Sequence, residues 1–144
     1  MSVGTYLVGR EKVREFARAV GETDPLFLDP DLARHRGYAD VVAPPMFAVV
    51  YCLTPLLSAL ADPDLGIESE RLVHSGQEFV WGTVVIAGDE ITTRMSLGRT
   101  YRHRDLRFVE VKSVSCNQHG AMTCLGTWTN IELELDYQQK GDRQ

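Results

Sequence analysis

The sequence lacks a basic excess. Its 15 Lys and Arg are outnumbered by 20 Asp and Glu, for a net charge of −5. General nucleic-acid binding needs a basic surface that neutralises phosphates, so that class is excluded. It also lacks an apolar run long enough to span a bilayer, and no membrane partner is expected. The opening residues, Met1 to Tyr6, have neither the basic nor the apolar region of a secretory signal, so a cytoplasmic location is expected. Cysteine is scarce. Cys52, Cys116 and Cys124 are odd in number and match no zinc spacing, so no metal and no cofactor is expected. They read as small packing residues. Cys116 and Cys124 flank an expected turn and could face each other across it, although a reducing compartment disfavours a disulfide. Internal repeats, low-complexity stretches and linkers are missing as well.

What is present suits one soluble domain. Of the 144 residues, 44% are hydrophobic and 24% charged. The domain is expected over 1–137, with a polar tail at 138–144. Val13, Phe16, Ala17 and Val20 fall at i, i+3, i+4 and i+7, which predicts a helix over 11–20 that stops at Gly21. Residues 22–45 are rich in Asp, Pro and Gly, with one short helical turn near 31–34. A long irregular segment in a compact domain is often functional. Pro44 and Pro45 then open a stretch, Met46 to Leu60, that is apolar nearly all round and reads as a buried helix. Pro55 should kink it or end it early.

The second half is β-like. Ile91, Thr93, Met95 and Leu97 alternate with polar neighbours, as on a half-buried strand. Further strands are expected over 72–81, 106–116 and 121–135, with residues 117–120 as a hairpin connection. Gly76 and Gly82 mark bends or close approach of another backbone. The pattern gives an α+β, antiparallel architecture.

Residues 21–27, Gly-Glu-Thr-Asp-Pro-Leu-Phe, carry the sharpest functional signal. With Gly37-Tyr38, the run from Val41 to Phe47, the run from Val73 to Phe79, the run from Val85 to Ile91 and the Asn117–Gly120 turn, they resemble the MaoC-like (R)-specific hydratase/dehydratase family. Within it the chain is similar to the N-terminal, non-catalytic-subunit type. The resemblance covers most of the chain and implies a single hot-dog fold, a long antiparallel sheet wrapped round a central buried helix. The family's active loop reads Gly-Asp-x-Asn-Pro-x-His, and its Asp and His do acid/base chemistry on an acyl thioester. Here Gly21 and Pro25 match, Glu22 takes the Asp position, Asp24 the Asn position and Phe27 the His position. A carboxylate survives and the imidazole is gone.

Dehydrating a 3-hydroxyacyl thioester needs a base at C2, an acid at the C3 hydroxyl and a stabiliser for the thioester oxygen. Backbone N–H groups at the start of the buried helix can supply the last. For Glu22 and Asp24 two readings stand: a two-carboxylate catalytic site, or a loop hydrogen bond at Asp24 beside a solvated Glu22. His74, on a strand expected to face the helix, is the best substitute for the missing histidine, with a structural role as its alternative. His35, His103 and His119 are expected on charged stretches and turns. Phe27, Pro45, Met46, Phe47, Val50 and Tyr51 are candidate pocket residues, and core packing explains the same spacing. Arg99, Arg102, Arg104 and Arg107, with His103, form a basic cluster suited to an acidic acyl carrier protein or coenzyme A phosphates, or equally a solvated hairpin.

The leading expectation is therefore a hot-dog subunit of a bacterial (R)-3-hydroxyacyl-thioester dehydratase or enoyl hydratase, in fatty-acid or polyketide-type metabolism. It would shape the acyl pocket for a partner with the intact loop, as a hetero-dimer; a homodimer is the other arrangement. Its rivals are a self-sufficient enzyme using Glu22 or Asp24 with His74, and a non-enzymatic acyl-thioester-binding module. Thioesterase is set aside, because Met46–Leu60 contains no Asp, Glu or His.

Overall fold

The computed structural model describes residues 1–104 and 106–133. The expected boundary at 137 and the tail at 138–144 lie outside them. Strand β1 (Ser2–Leu7) leads into helix α1 (Arg10–Ala19). Val13 and Ala17 are fully buried and Phe16 packs beside them, as the 3.6-residue period requires. Val20 departs from that face. The helix ends at Ala19, and the left-handed turn at Gly21 (φ 78°) carries Val20 out into solvent.

Helix α2 (Pro30–His35) is capped by Asp29, whose Oδ1 accepts from the backbone of Asp31 at 2.9 Å and Leu32 at 3.2 Å. A 3₁₀ turn, Pro45–Phe47, then feeds helix α3, Ala48–Leu60. One face of α3 is buried, with Tyr51, Cys52, Leu56 and Ala59 in the core. The expectation of burial all round is not met. Met46, Leu53 and Leu57 are 42%, 52% and 57% exposed, in line along the opposite side. Pro55 does not end the helix either. Its ring packs against Gly4, where a Cβ would lie 3.2 Å away, and its carbonyl accepts from Ser2 Oγ at 2.5 Å. Strand β1 thus braces the helix where the backbone ladder loses a donor.

The remaining strands are β2 (Leu72–Trp81), β3 (Glu90–His103), β4 (Leu106–Cys116) and β5 (Met122–Glu132). All pairs are antiparallel, in the order β1-β3-β4-β5-β2, so β1 and β2 are the edges. The sheet wraps α3, with Ile91, Met95, Val111 and Trp128 meeting the helix in one core. This is the hot-dog fold.

Bulges correct three details of the alternation. Between Leu97 and Thr100 the register shifts, and Leu97 is 51% exposed although Ile91, Thr93 and Met95 are buried. Between Ser115 and Cys116 another shift sets Ser115 opposite Cys124 and Cys116 opposite Met122, so the two cysteines do not pair; all three are free thiols. The third, between His74 and Gly76, moves the start of β2 out of step with its end.

Candidate acyl-binding site

The site begins in the loop after α1. Asp24 Oδ1 accepts from Leu26 N at 2.9 Å, and Pro25 opens a one-turn 3₁₀ segment that ends at Phe27. Leu26 O accepts from Val42 N at 2.9 Å, and Ala43 N donates to Val85 O at 2.8 Å. The 41–43 segment is therefore strung between the loop and the residues that follow β2. Those residues are fixed in turn by Gly82 N to Thr123 O at 2.9 Å and Thr83 N to Met122 O at 2.8 Å. The approach at Gly82 is so close that a Cβ there would lie 2.2 Å from Met122 O, which excludes every side chain. Under the start of α3, Phe47 is buried edge-on against Phe16 (5.5 Å between ring centres) and Tyr6 (6.1 Å).

These pieces enclose a cavity of about 200 Å³. Phe27 and residues 42–45 form one wall, Phe47, Ala48 and Tyr51 of α3 the second, and residues 81–85 with Thr123 the third. Among the described residues the lining holds no Asp, Glu, His, Lys or Arg. Tyr51 is its one titratable side chain among the described residues, and burial pushes that phenol far above its usual range. No group of three or more His, Cys, Asp or Glu gathers among the described residues to hold a metal ion.

The sequence candidates divide sharply around this cavity. Phe27, Pro45, Phe47 and Tyr51 line it. Met46 and Val50 do not: Met46 is exposed in the turn before α3, and Val50 is half-buried against the core outside the lining. Glu22 and Asp24 are exposed and outside the lining, and Asp24 spends a carboxylate oxygen on the turn. His74 is exposed, near the far end of β2. It lies seven residues from Trp81 at the cavity, roughly 23 Å at ~3.3 Å per residue, and its ring centre is 6.0 Å from that of Trp128. His35, His103 and His119 are exposed.

The arginine cluster belongs to that far end too. Arg99 binds Glu110 through two nitrogens, at 3.0 and 2.7 Å, and Arg107 binds Glu132 at 2.9 Å together with the carbonyls of Leu65 and Gly66. Arg102 and Arg104 sit on the exposed β3–β4 hairpin. Sequence reasoning missed the 83–85 wall and Thr123, which no local motif marks. Gly82 was the available signal, since close backbone approach was one of its two readings.

The family model described as FAS1-like, dehydratase domain region, matches residues 1–125. The chain belongs to the FAS1-like dehydratase-region family. A UPF0336 protein of Clavibacter michiganensis subsp. michiganensis is 47% identical over 116 residues, 81% of this chain and 78% of that protein. Another, from Leifsonia xyli subsp. xyli, is 47% identical over 92 residues, 64% of this chain and 62% of that protein. Among solved structures, the C-terminally truncated HadBC (3R-hydroxyacyl-ACP dehydratase) complex of Mycobacterium tuberculosis is 30% identical, with a TM-score of 0.78 over 89% of this chain and 90% of that one. A MaoC-like dehydratase is 26% identical, with a TM-score of 0.78 over 94% of this chain and 42% of that one.

Within the FAS1-like dehydratase-region family, the site of this chain has a definite chemical capacity. Its lining can desolvate an apolar chain. The Phe47 amide already donates to Pro44 O at 2.8 Å, which removes one helix-start donor from service to a ligand. Among the described residues no helix is long and apolar enough to cross a membrane.

Proposed function

We propose that this chain is the pocket-shaping subunit of an (R)-3-hydroxyacyl-thioester dehydratase or enoyl hydratase. It acts with a second hot-dog chain that carries the intact acid/base loop. The observation that carries this reading is the cavity itself. It lies beside Phe27, where the family's histidine would stand, and its lining offers neither carboxylate nor imidazole. Glu22 and Asp24 are exposed and outside the lining, so among the described residues the cavity wall supplies no carboxylate or imidazole to take a proton from C2. The cavity is also smaller than the ~300–1,000 Å³ of a complete small-molecule site, as suits a half-site that a partner completes.

The surface supports a partner. The apolar stripe of Met46, Leu53 and Leu57 is exposed, and β2 is an unpaired edge among the described strands. HadBC, at 30% identity, is itself a complex. The carrier, whether an acyl carrier protein or coenzyme A, would deliver its chain at the Phe27–Trp81 mouth. The Arg99–Arg107 hairpin lies at the other end of the sheet, where Arg99 and Arg107 are held by Glu110 and Glu132.

The test is turnover of a 3-hydroxyacyl thioester by the chain alone, by an intact-loop partner alone and by the two together. Activity is expected from the pair, with Glu22→Gln in this chain leaving it unchanged. Turnover by the chain alone at about 1 per second or more, abolished by Asp24→Asn, would overturn the proposal. Phe27→His should weaken acyl binding, because the imidazole needs a polar partner that the lining does not provide, and should restore no activity to the chain alone.

A further inference from the structure

One of the side chains that bound the cavity is a buried tyrosine. Tyr51 leaves the buried face of α3 and lines the cavity together with Thr123 of β5. Thr123 Oγ1, on the facing strand, gives its hydrogen to the Ser115 carbonyl at 3.2 Å. Tyr51 is 4% exposed, and its ring is braced by Phe47, 6.4 Å between centres. Behind it, the space under α3 is filled by small side chains. Ser115 Oγ lies 2.8 Å from Thr93 Oγ1 and 3.6 Å from Cys52 Sγ, and all three residues are fully buried. The ring therefore stands between the open cavity and a strip of interior whose side chains are small.

We infer that Tyr51 is the stop that sets the longest acyl chain this cavity accepts. The inference rests on the acyl-binding reading of the cavity. The aromatic ring does the stopping, and its burial against Phe47 holds it in place. A straight chain entering past Phe27 and Pro45 buries each further methylene until its end meets the ring. The next methylene stays in water or forces the chain to fold back. Affinity then rises roughly 4-fold per carbon up to a break and is flat beyond it.

The experiment is a calorimetric titration of straight-chain acyl-pantetheine thioesters, in a series of increasing length, into the purified full chain. Wild type should show the break. Tyr51→Ala should move it at least two carbons longer, so the chain at the new limit binds roughly 15-fold tighter than it does to wild type. Tyr51→Phe keeps the ring and should keep the break in place. Should Tyr51→Ala fail to fold, Tyr51→Leu shortens the stop without emptying the site and should shift the break in the same direction by less. A break at the same length in wild type and in a folded Ala or Leu variant would overturn the inference and leave the acyl site standing. Absence of binding by wild type at every length would instead overturn the acyl-site reading, and the inference with it.

Discussion

Two rows of residues across the sheet show how differently its ends are built. In one row Trp81, Cys124, Ser115 and Thr93 lie side by side, and the chain around them closes by backbone contacts, aromatic rings and buried hydroxyls. In the other, His74, Asn130, Val109 and Thr100 are aligned, and just beyond them Arg107 grips Glu132 and the carbonyls of Leu65 and Gly66. Glu132 also accepts from Glu68 N at 3.0 Å, and Arg71 pairs with Glu68. The charged end is occupied with holding its own loop. The cavity end has no such internal partners and keeps an apolar space open. At the charged end Arg99, Arg107 and Glu132 serve structure, whereas the other end keeps an apolar space open to a ligand.

Putting a charge where the contrast forbids it should produce the largest effect. Val85 is buried in the cavity wall, and Val85→Asp places a carboxylate there with no cation in the lining. The expected loss is about 3–5 kcal/mol of stability, together with acyl binding. Urea unfolding and thioester titration check the two halves, and an intact midpoint would show that the wall is wetter than its packing implies.

Removing a charge at the other end should cost less and leave the cavity alone. Burial pushes the Glu132 carboxyl up, but the Glu68 N–H, the Arg107 guanidinium and the Arg71 charge outweigh it and hold the group below the usual carboxylate range. A depressed folded value means the stabilisation is complete above the unfolded value, about 4.3, and is lost as pH falls through the folded one. Glu132→Gln should therefore lose about 1–2 kcal/mol at pH 7, after allowance for solvent screening. The gap from wild type should close as the pH drops below about 4. Urea midpoints between pH 7 and 3 measure it; a gap that widens on acidification would reverse the sign of the argument. Acyl binding should not change.

The loop carboxylates should matter least. Asp24→Ala removes the bond to Leu26 N and should cost about 0.5–1 kcal/mol, while Glu22→Gln should stay within about 0.5 kcal/mol. A much larger loss of pair activity from Glu22→Gln would place that carboxylate back in the chemistry.

Much of this architecture was legible because it follows local periodicity. Val13 and Ala17, the Pro44–Pro45 entry to α3, and the strands at 72–81 and 106–116 fall where the patterns put them. The misses are long-range. Nothing near Pro55 announces that Gly4 and Ser2, on a strand fifty residues earlier, will brace it. Alternation cannot locate a bulge, so Leu97 was expected inside, nor can it say how far along β2 His74 lies from the mouth. The partners of Arg99 and Arg107, Glu110 and Glu132, could not be read from the arginine cluster because they are distant in sequence. For the site, four of the six pocket candidates, Phe27 in the first loop and Pro45, Phe47 and Tyr51 at the start of the helix, could be read from two short stretches of chain. The opposite wall, Thr83–Val85 and Thr123, is assembled by tertiary pairing and leaves no local signature.

The tight crossing at Gly82 bears on how such a protein can diversify. Where Gly82 presses on Met122 O, the cavity is bounded by main chain, and a main-chain wall offers nothing to trade for a bulkier or slimmer group. Adaptation to a new cargo is thereby channelled to positions where a side chain does the bounding, Phe27, Ala48 and Tyr51 among them. A library randomised at those three should yield folded proteins with graded ligand preferences. One randomised at position 82 should return glycine alone.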